Sequence, residues 1–289
     1  MRFDSTGKAS LGHLYTQPDP RAYFGELRGL GYCVPQQAKP YFEKLIKEYR
    51  ESRQVEVPTV VDIGCSYGIN AALLKCDTTM DELYARYDTP DAQPEGPESP
   101  ESPESPDDND GTTAREALLA RDRELSRSRT PAHPIRCVGL DISQNALSYG
   151  LAAGFLDDAV HADLENHDPT PEQRAQLAGA DLVISTGCLG YVTERTLTRI
   201  IEAQGGRRPW MAHTVLRMFS YQPVERALSA LGYETECVEG EFRQRRFASP
   251  EEQALVVAAM SANGVETRGL EAEGWLHARL HLSRPVGPE

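Results

Sequence analysis

The stretch Val60-Val61-Asp62-Ile63-Gly64-Cys65-Ser66-Tyr67-Gly68-Ile69-Asn70 constrains this chain most. The apolar run from Val57 to Ile63 reads as a short buried strand. Gly64 and Gly68 bracket a tight turn, and Ala71-Ala72-Leu73-Leu74 opens a helix. Strand, glycine turn and helix make the first unit of a doubly wound α/β fold. Glycine there lets backbone N–H groups approach a ligand without Cβ interference.

Several chemistries use such a turn. A dinucleotide site wants G-x-G-x-x-G, and the spacing differs. Gly64-Cys65-Ser66-Tyr67-Gly68 matches the G-x-S-x-G nucleophile elbow of hydrolases. That chemistry needs an Asp and then a His after later strands, and no good pair follows. The turn also fits a purely structural crossover, so the downstream residues decide.

Before the strand, Pro18 to Leu30 and Pro35 to Tyr49 are helical in pattern, with Phe42, Leu45, Ile46 and Tyr49 at helical spacing. Residues 1–56 are expected to form an N-terminal helical cap. Its tyrosines (Tyr15, Tyr23, Tyr32, Tyr41) are expected mostly to pack the helices, with Tyr15 or Tyr23 near a ligand beneath a lid. Residues 57–87 give the first half of the core, including a short helix over Met80 to Tyr87. Residues 88–113 read as an acidic disordered insertion, since Pro94 to Pro106 has no apolar residue to bury. Residues 114–289 give the rest of the core, opening with an exposed Arg-rich helix over Ala114 to Ser128.

Strands are predicted at Ile135–Leu140, Leu156–His161, Ala180–Ser185, Trp210–Phe219, Tyr233–Val238 and Trp275–Ser283, with helices between most of them. This alternation predicts a mainly parallel sheet covered on both faces. Ligands bind beyond the carboxyl ends of such strands, at the topological switch point. Four places fall there: the turn from Asp62 to Gly68, Asp141, Asp163, and the loop from Ser185 to Tyr191. An acid ending the second strand can accept both hydroxyls of a ribose, because a carboxylate offers two acceptor oxygens. Otherwise Asp141 is a helix N-terminal acid worth a few tenths of a kcal/mol to about 1 kcal/mol.

Over Val57 to Asn70 and Ile135 to Phe219 the chain resembles class I S-adenosylmethionine-dependent methyltransferases. The motif D/E-x-G-x-G-x-G appears as Asp62-x-Gly64-x-Ser66-x-Gly68, with serine for the middle glycine. Asp141, Asp163 and Asp181-Leu182-Val183-Ile184-Ser185 follow in the family's order. The resemblance implies a Rossmann-like fold and S-adenosylmethionine as cofactor. It implies that Gly64, Cys65, Ser66 and Gly68 admit the methionine moiety, that Asp141 and Ile142 hold the ribose side, and that Asp163 and Leu164 border the adenine. Ser185, Thr186 and Tyr191 would hold a small-molecule acceptor. The stretches Gly190–Thr196 and Glu271–His277 resemble bacterial methyltransferase-like proteins and, more faintly, the azetidine-2-carboxylate synthases. Methyl transfer is therefore the leading expectation. Cyclisation of S-adenosylmethionine with release of methylthioadenosine is the alternative, and a non-catalytic binding partner the third.

Composition limits the rest. No apolar run is long enough to span a membrane, and Met1 to Ser10 lacks a signal-peptide core. The six cysteines include no C-x-x-C and read as reduced thiols of a cytoplasmic protein. His277 and His281 share a strand face but lack a third ligand, so no metal is expected. Net charge is −14, and nine acids between Asp88 and Asp110 take it there from −5, leaving no basic surface for nucleic acid. Gln244-Arg245-Arg246 reads as a solvated cluster or as a carboxylate or phosphate site.

Overall fold

The apolar run before Gly64 forms β1 (Thr59–Ile63), which lies inside an eight-stranded sheet. The computed structural model describes residues 2–4, 6–88, 110–131 and 133–287. On either side of β1 lie β2 (Arg136–Asp141) and β4 (Leu182–Leu189), both parallel to it, with Asp62 level with Gly139 and Ile184. Beyond them, also parallel, lie β3 (Asp158–His161) and β5 (Trp210–Leu216). β8 (Trp275–Pro285) runs antiparallel to β5. Its other edge is shared: β6 (Tyr233–Cys237) pairs with one half and β7 (Phe242–Arg246) with the other. The order is β3-β2-β1-β4-β5-β8-β6, the doubly wound, mainly parallel sheet expected from the sequence. The winding reverses between β1 and β4, so a crevice opens beyond their carboxyl ends.

Alternate strand residues serve opposite faces. Val60, Cys137, Leu182 and Ile184 pack with α2 (Val34–Arg53) and α3 (Ile69–Lys75), while Val61, Val138, Leu140 and Val183 pack with α7 (Pro171–Leu177) and α8 (Glu194–Ala203). Each such buried aliphatic side chain contributes about 1.5–3 kcal/mol. Tyr49 of α2 donates to Asp181 Oδ1 at 2.8 Å, and Asp181 Oδ2 accepts from the Thr59 amide at 2.8 Å. This fastens the cap to the start of β1. The cap itself comprises a 3-10 turn (Gly12–Tyr15), α1 (Arg21–Gly29) and α2.

Three expectations need correction. Helix α5 starts at Asp110 and runs to Ser128, and it is not simply exposed: Leu118, Leu119, Asp122 and Leu125 are buried. The Asp122 carboxylate accepts from Tyr87, at the end of α4 (Met80–Tyr87), and from Tyr149 in α6 (Gln144–Ala153) at 2.7 Å, so α5 is docked through an acid that looked solvated. Residues 89–109 of the predicted insertion lie outside the described residues. Second, the Gln244-Arg245-Arg246 cluster lies in strand β7, where Gln244 and Arg245 are buried and only Arg246 is exposed. Arg245 is 2% exposed and makes a two-pronged ion pair (3.0 and 2.6 Å) with Glu252 of α10 (Pro250–Ala262). A burial pattern set by one acid on the following helix leaves no periodicity in sequence. Third, β4 runs on to Leu189 through a register shift after Thr186, so part of the predicted loop is strand.

Candidate functional site

The turn after β1 is left-handed at three places: Gly64 (φ 65°), Ser66 (φ 51°) and Gly68 (φ 82°). At Gly64 space also matters, because a Cβ would lie 2.9 Å from Cys188 Cβ. Ser66 adopts its conformation at a cost of about 1–2 kcal/mol. In return its amide reaches Asp141 Oδ2 at 2.8 Å, across from β1 to the end of β2. The Ser143 amide takes Asp141 Oδ1, also at 2.8 Å. These two amides, with the Ile142 backbone beside them, fix one carboxylate, whose four lone-pair sites are not all taken. Burial raises the Asp141 pKa against the lowering effect of the Ser143 and Ser66 amides.

This carboxylate borders a cavity of about 560 Å³ beyond the carboxyl ends of β1, β2 and β4. The volume is in the range of sites for small organic ligands. Gly64, Cys65, Ser66, Asp141, Ile142, Asp163, Leu164, Thr186 and Tyr191 all line it, as do Tyr15 and Tyr23. The cap therefore forms one wall. It is tied there by polar contacts: Tyr67 donates to the carbonyls of Leu14 and Gln17 at 3.0 Å, Asn145 Nδ2 donates to that of Thr16 at 2.8 Å, and Ser143 Oγ donates to that of Tyr15. Tyr23 stands edge-on to Tyr15, Tyr32 and Tyr67, with centroids 5.8, 6.3 and 6.0 Å away. Burial holds the Tyr15 phenol up at about 12 and raises Tyr23 and Tyr32 well above the usual phenol value, so all three are neutral aromatic faces.

Three predicted residues do not line the cavity. Ser185 is fully buried behind the wall, with its hydroxyl hydrogen-bonded to His213 Nδ1 at 2.8 Å, and so cannot touch an acceptor. Gly68 starts α3 and turns toward Phe155 and Leu156. Asp62 is fully buried beneath Asn70, whose Nδ2 donates to Asp62 Oδ1 at 3.0 Å and to Thr186 Oγ1 at 3.1 Å. Burial, opposed by the Asn70 hydrogen bond and assisted by Asp141, raises Asp62 to about 7. Asp163 does line the cavity, but its side chain is engaged by its own loop, accepting from the Glu165 and Asn166 amides and from Asn166 Nδ2. Its Oδ1 is filled by the two amides, so Oδ2, with one donor, and the backbone are left for a ligand.

The sequence reading missed Asn70, Lys8, Asp4 and Glu165. Asn70 carried a signal, being a polar residue set in an apolar helix start one turn after the glycines. Glu165 accepts from Thr193 and Thr196 of the α8 start and closes the floor. Tyr191 is half exposed, and its hydroxyl donates to Asp4 Oδ2 at 2.6 Å, which joins the loop after β4 to the N-terminal segment. Among the described residues no group of three His, Cys, Asp or Glu is placed to hold a metal, and no helix is long and apolar enough to cross a membrane.

No family model and no curated protein matches the chain. Solved structures similar to it include the plantazolicin methyltransferase BpumL in complex with S-adenosylhomocysteine (11% identity, 94% of this chain and 93% of that one, TM-score 0.41). Magnesium protoporphyrin IX methyltransferase from Synechocystis PCC 6803 is similar at 9% identity (85% and 79%, TM-score 0.37), and the [4+2]-cyclase SpnF at 12% (84% and 82%, TM-score 0.37). The fold assignment rests on the strand order itself: a parallel β3-β2-β1-β4-β5 sheet, continued by an antiparallel strand between β5 and β6, is the Rossmann-like fold of the class I S-adenosylmethionine-dependent methyltransferases.

Proposed function

We propose that this chain binds S-adenosylmethionine in the described cavity and transfers its methyl group to a small-molecule acceptor. The observation that carries this reading is the Asp141 carboxylate, fixed by the Ser66 and Ser143 amides at the edge of the cavity that it lines. Such a group matches the two hydroxyls of a ribose. When bound, the cofactor would supply an electrophilic methyl on a sulfonium. Gly64, Cys65 and Ser66 would border its methionine end, and the Ser66 hydroxyl, buried without a partner, is free to meet it. Ile142, which is 71% exposed, and Leu164 would flank the adenine. The faces of Tyr15 and Tyr23 suit a sulfonium, each such contact contributing about 0.5–2 kcal/mol. Asn70, with its amide orientation set by Asp62, and Thr186 would orient the reacting end.

The acceptor must approach opposite the departing sulfur, so the protein's main work is positioning and exclusion of water. The N-terminal wall serves both. The test is mass spectrometry of the purified protein incubated with S-adenosylmethionine, alone and with candidate metabolites. S-adenosylhomocysteine that appears only with an added metabolite supports methyl transfer. Methylthioadenosine from the cofactor alone would replace transfer by cyclisation. No binding of either S-adenosylmethionine or S-adenosylhomocysteine would remove the cofactor altogether.

A further inference from the structure

One cavity-lining charge has no role in the proposed cofactor site. Lys8 lines the cavity and makes no ion pair or side-chain hydrogen bond among the described residues. Its Nζ lies 4.8 Å over the Tyr191 ring, which holds it in place without neutralising it. The neighbouring charged groups are engaged by other partners. Arg245 is paired with Glu252, and the Asp4 carboxylate accepts from Tyr191, from the Thr6 amide and hydroxyl, and from the Lys8 amide. Beside them Gln244, also lining the cavity, is 4% exposed with no side-chain hydrogen bond, and its Oε1 is buried unpartnered. Whichever way that amide is turned, it waits for a ligand atom. The charges that act on Lys8 are Arg245, Asp4 and Glu252, while Tyr15 senses both Arg245 and Asp141. Lys8, Gln244, Tyr15 and Asp141 all line this one cavity.

We infer that the acceptor carries a carboxylate, received by the Lys8 ammonium in the cavity that the Gln244 amide also lines. The inference rests on the cofactor reading, since it names what else occupies that cavity. A largely desolvated cation with no acid in ion-pair contact binds an anion better than a neutral isostere, because the ligand supplies that contact. Burial, with Arg245 nearby, lowers the Lys8 pKa to about 8, so Lys8 is charged at neutral pH and its anion binding should fade above pH 8.

The experiment is calorimetry on the full chain. Protein saturated with S-adenosylhomocysteine is titrated with benzoate, phenylacetate and hexanoate, and with the corresponding amides. The expected result is that at least one acid binds roughly ten- to a hundred-fold tighter than its amide, the size of a charge-assisted hydrogen bond. Its affinity should fall as pH rises through 8, be lost in Lys8→Met and return in Lys8→Arg without the pH dependence. Acids binding no better than amides would overturn the inference. So would a Lys8→Met variant that weakens S-adenosylhomocysteine but not methylthioadenosine, because Lys8 would then serve the cofactor's own carboxylate. If neither nucleoside binds the parent protein, the cofactor reading fails, and the same titration without nucleoside still reads anion binding at Lys8.

Discussion

Glu252→Ala should cost about 3–5 kcal/mol of unfolding free energy, the range for removing one member of a buried ion pair. Glu252 is fully buried, and so is its partner Arg245, at 0% and 2% side-chain exposure. The carboxylate does more than pair: it accepts from the amides of Ala9 at 2.7 Å and Ala248 at 2.6 Å. Removing it strands a guanidinium and two backbone donors in one step, so the upper half of the range is expected. Through Ala9 it also pins the segment that carries Lys8, so the cavity wall should loosen along with the fold. Although burial raises the Glu252 pKa, the Arg245 hydrogen bond and charge and the two amides outweigh it and bring it below the usual value of 4.5. The stabilisation it gives is therefore present above pH 4.5 and is lost as pH falls through the lowered value. Urea denaturation at pH 7 reads the loss directly, and the double variant with Arg245→Met should recover part of it, because no charge is then left unpaired. A Glu252→Ala loss below about 1 kcal/mol at unchanged m-value would refute the reasoning, since it would mean that Arg245 finds water or another partner.

Asp141→Ala should weaken S-adenosylmethionine binding by about 1.5–3 kcal/mol, the loss of hydrogen bonds to a charged acceptor; unchanged affinity by calorimetry in a folded variant takes Asp141 out of the site. Asp62, held near 7 in the folded state against 3.8 for a free side chain, binds its proton more tightly when folded. Its contribution to stability is complete below about 3.8 and is lost as pH rises through about 7. In Asp62→Asn that slope should flatten, and a denaturation series in which the variant keeps the parent's slope would contradict the assignment. Hydrogen exchange with and without S-adenosylhomocysteine should gain protection between Leu14 and Tyr32 as well as at Gly64 to Ser66; a gain confined to the turn would show that the N-terminal wall takes no part in binding.

What the sequence determined by itself was local or periodic. The run Val57 to Ile63 followed by Gly64 and Gly68 could be read as strand, turn and helix, because φ restrictions and side-chain alternation act between near neighbours. The same holds for Asp141, whose place at the end of β2 follows once the strand is found. The tertiary structure decided which charges are buried and what faces the cavity. Asp122 sits on an Arg-rich helix and Arg245 in a basic triplet, yet both are buried against partners from other elements. Ser185 and Thr186 are adjacent, but alternation along β4 buries the first behind the wall and turns the second into the cavity. Ala9 meets Glu252 across 243 residues of chain. A contact of that kind leaves no spacing to read, since it depends on how the N-terminal segment, β7 and α10 close around one carboxylate.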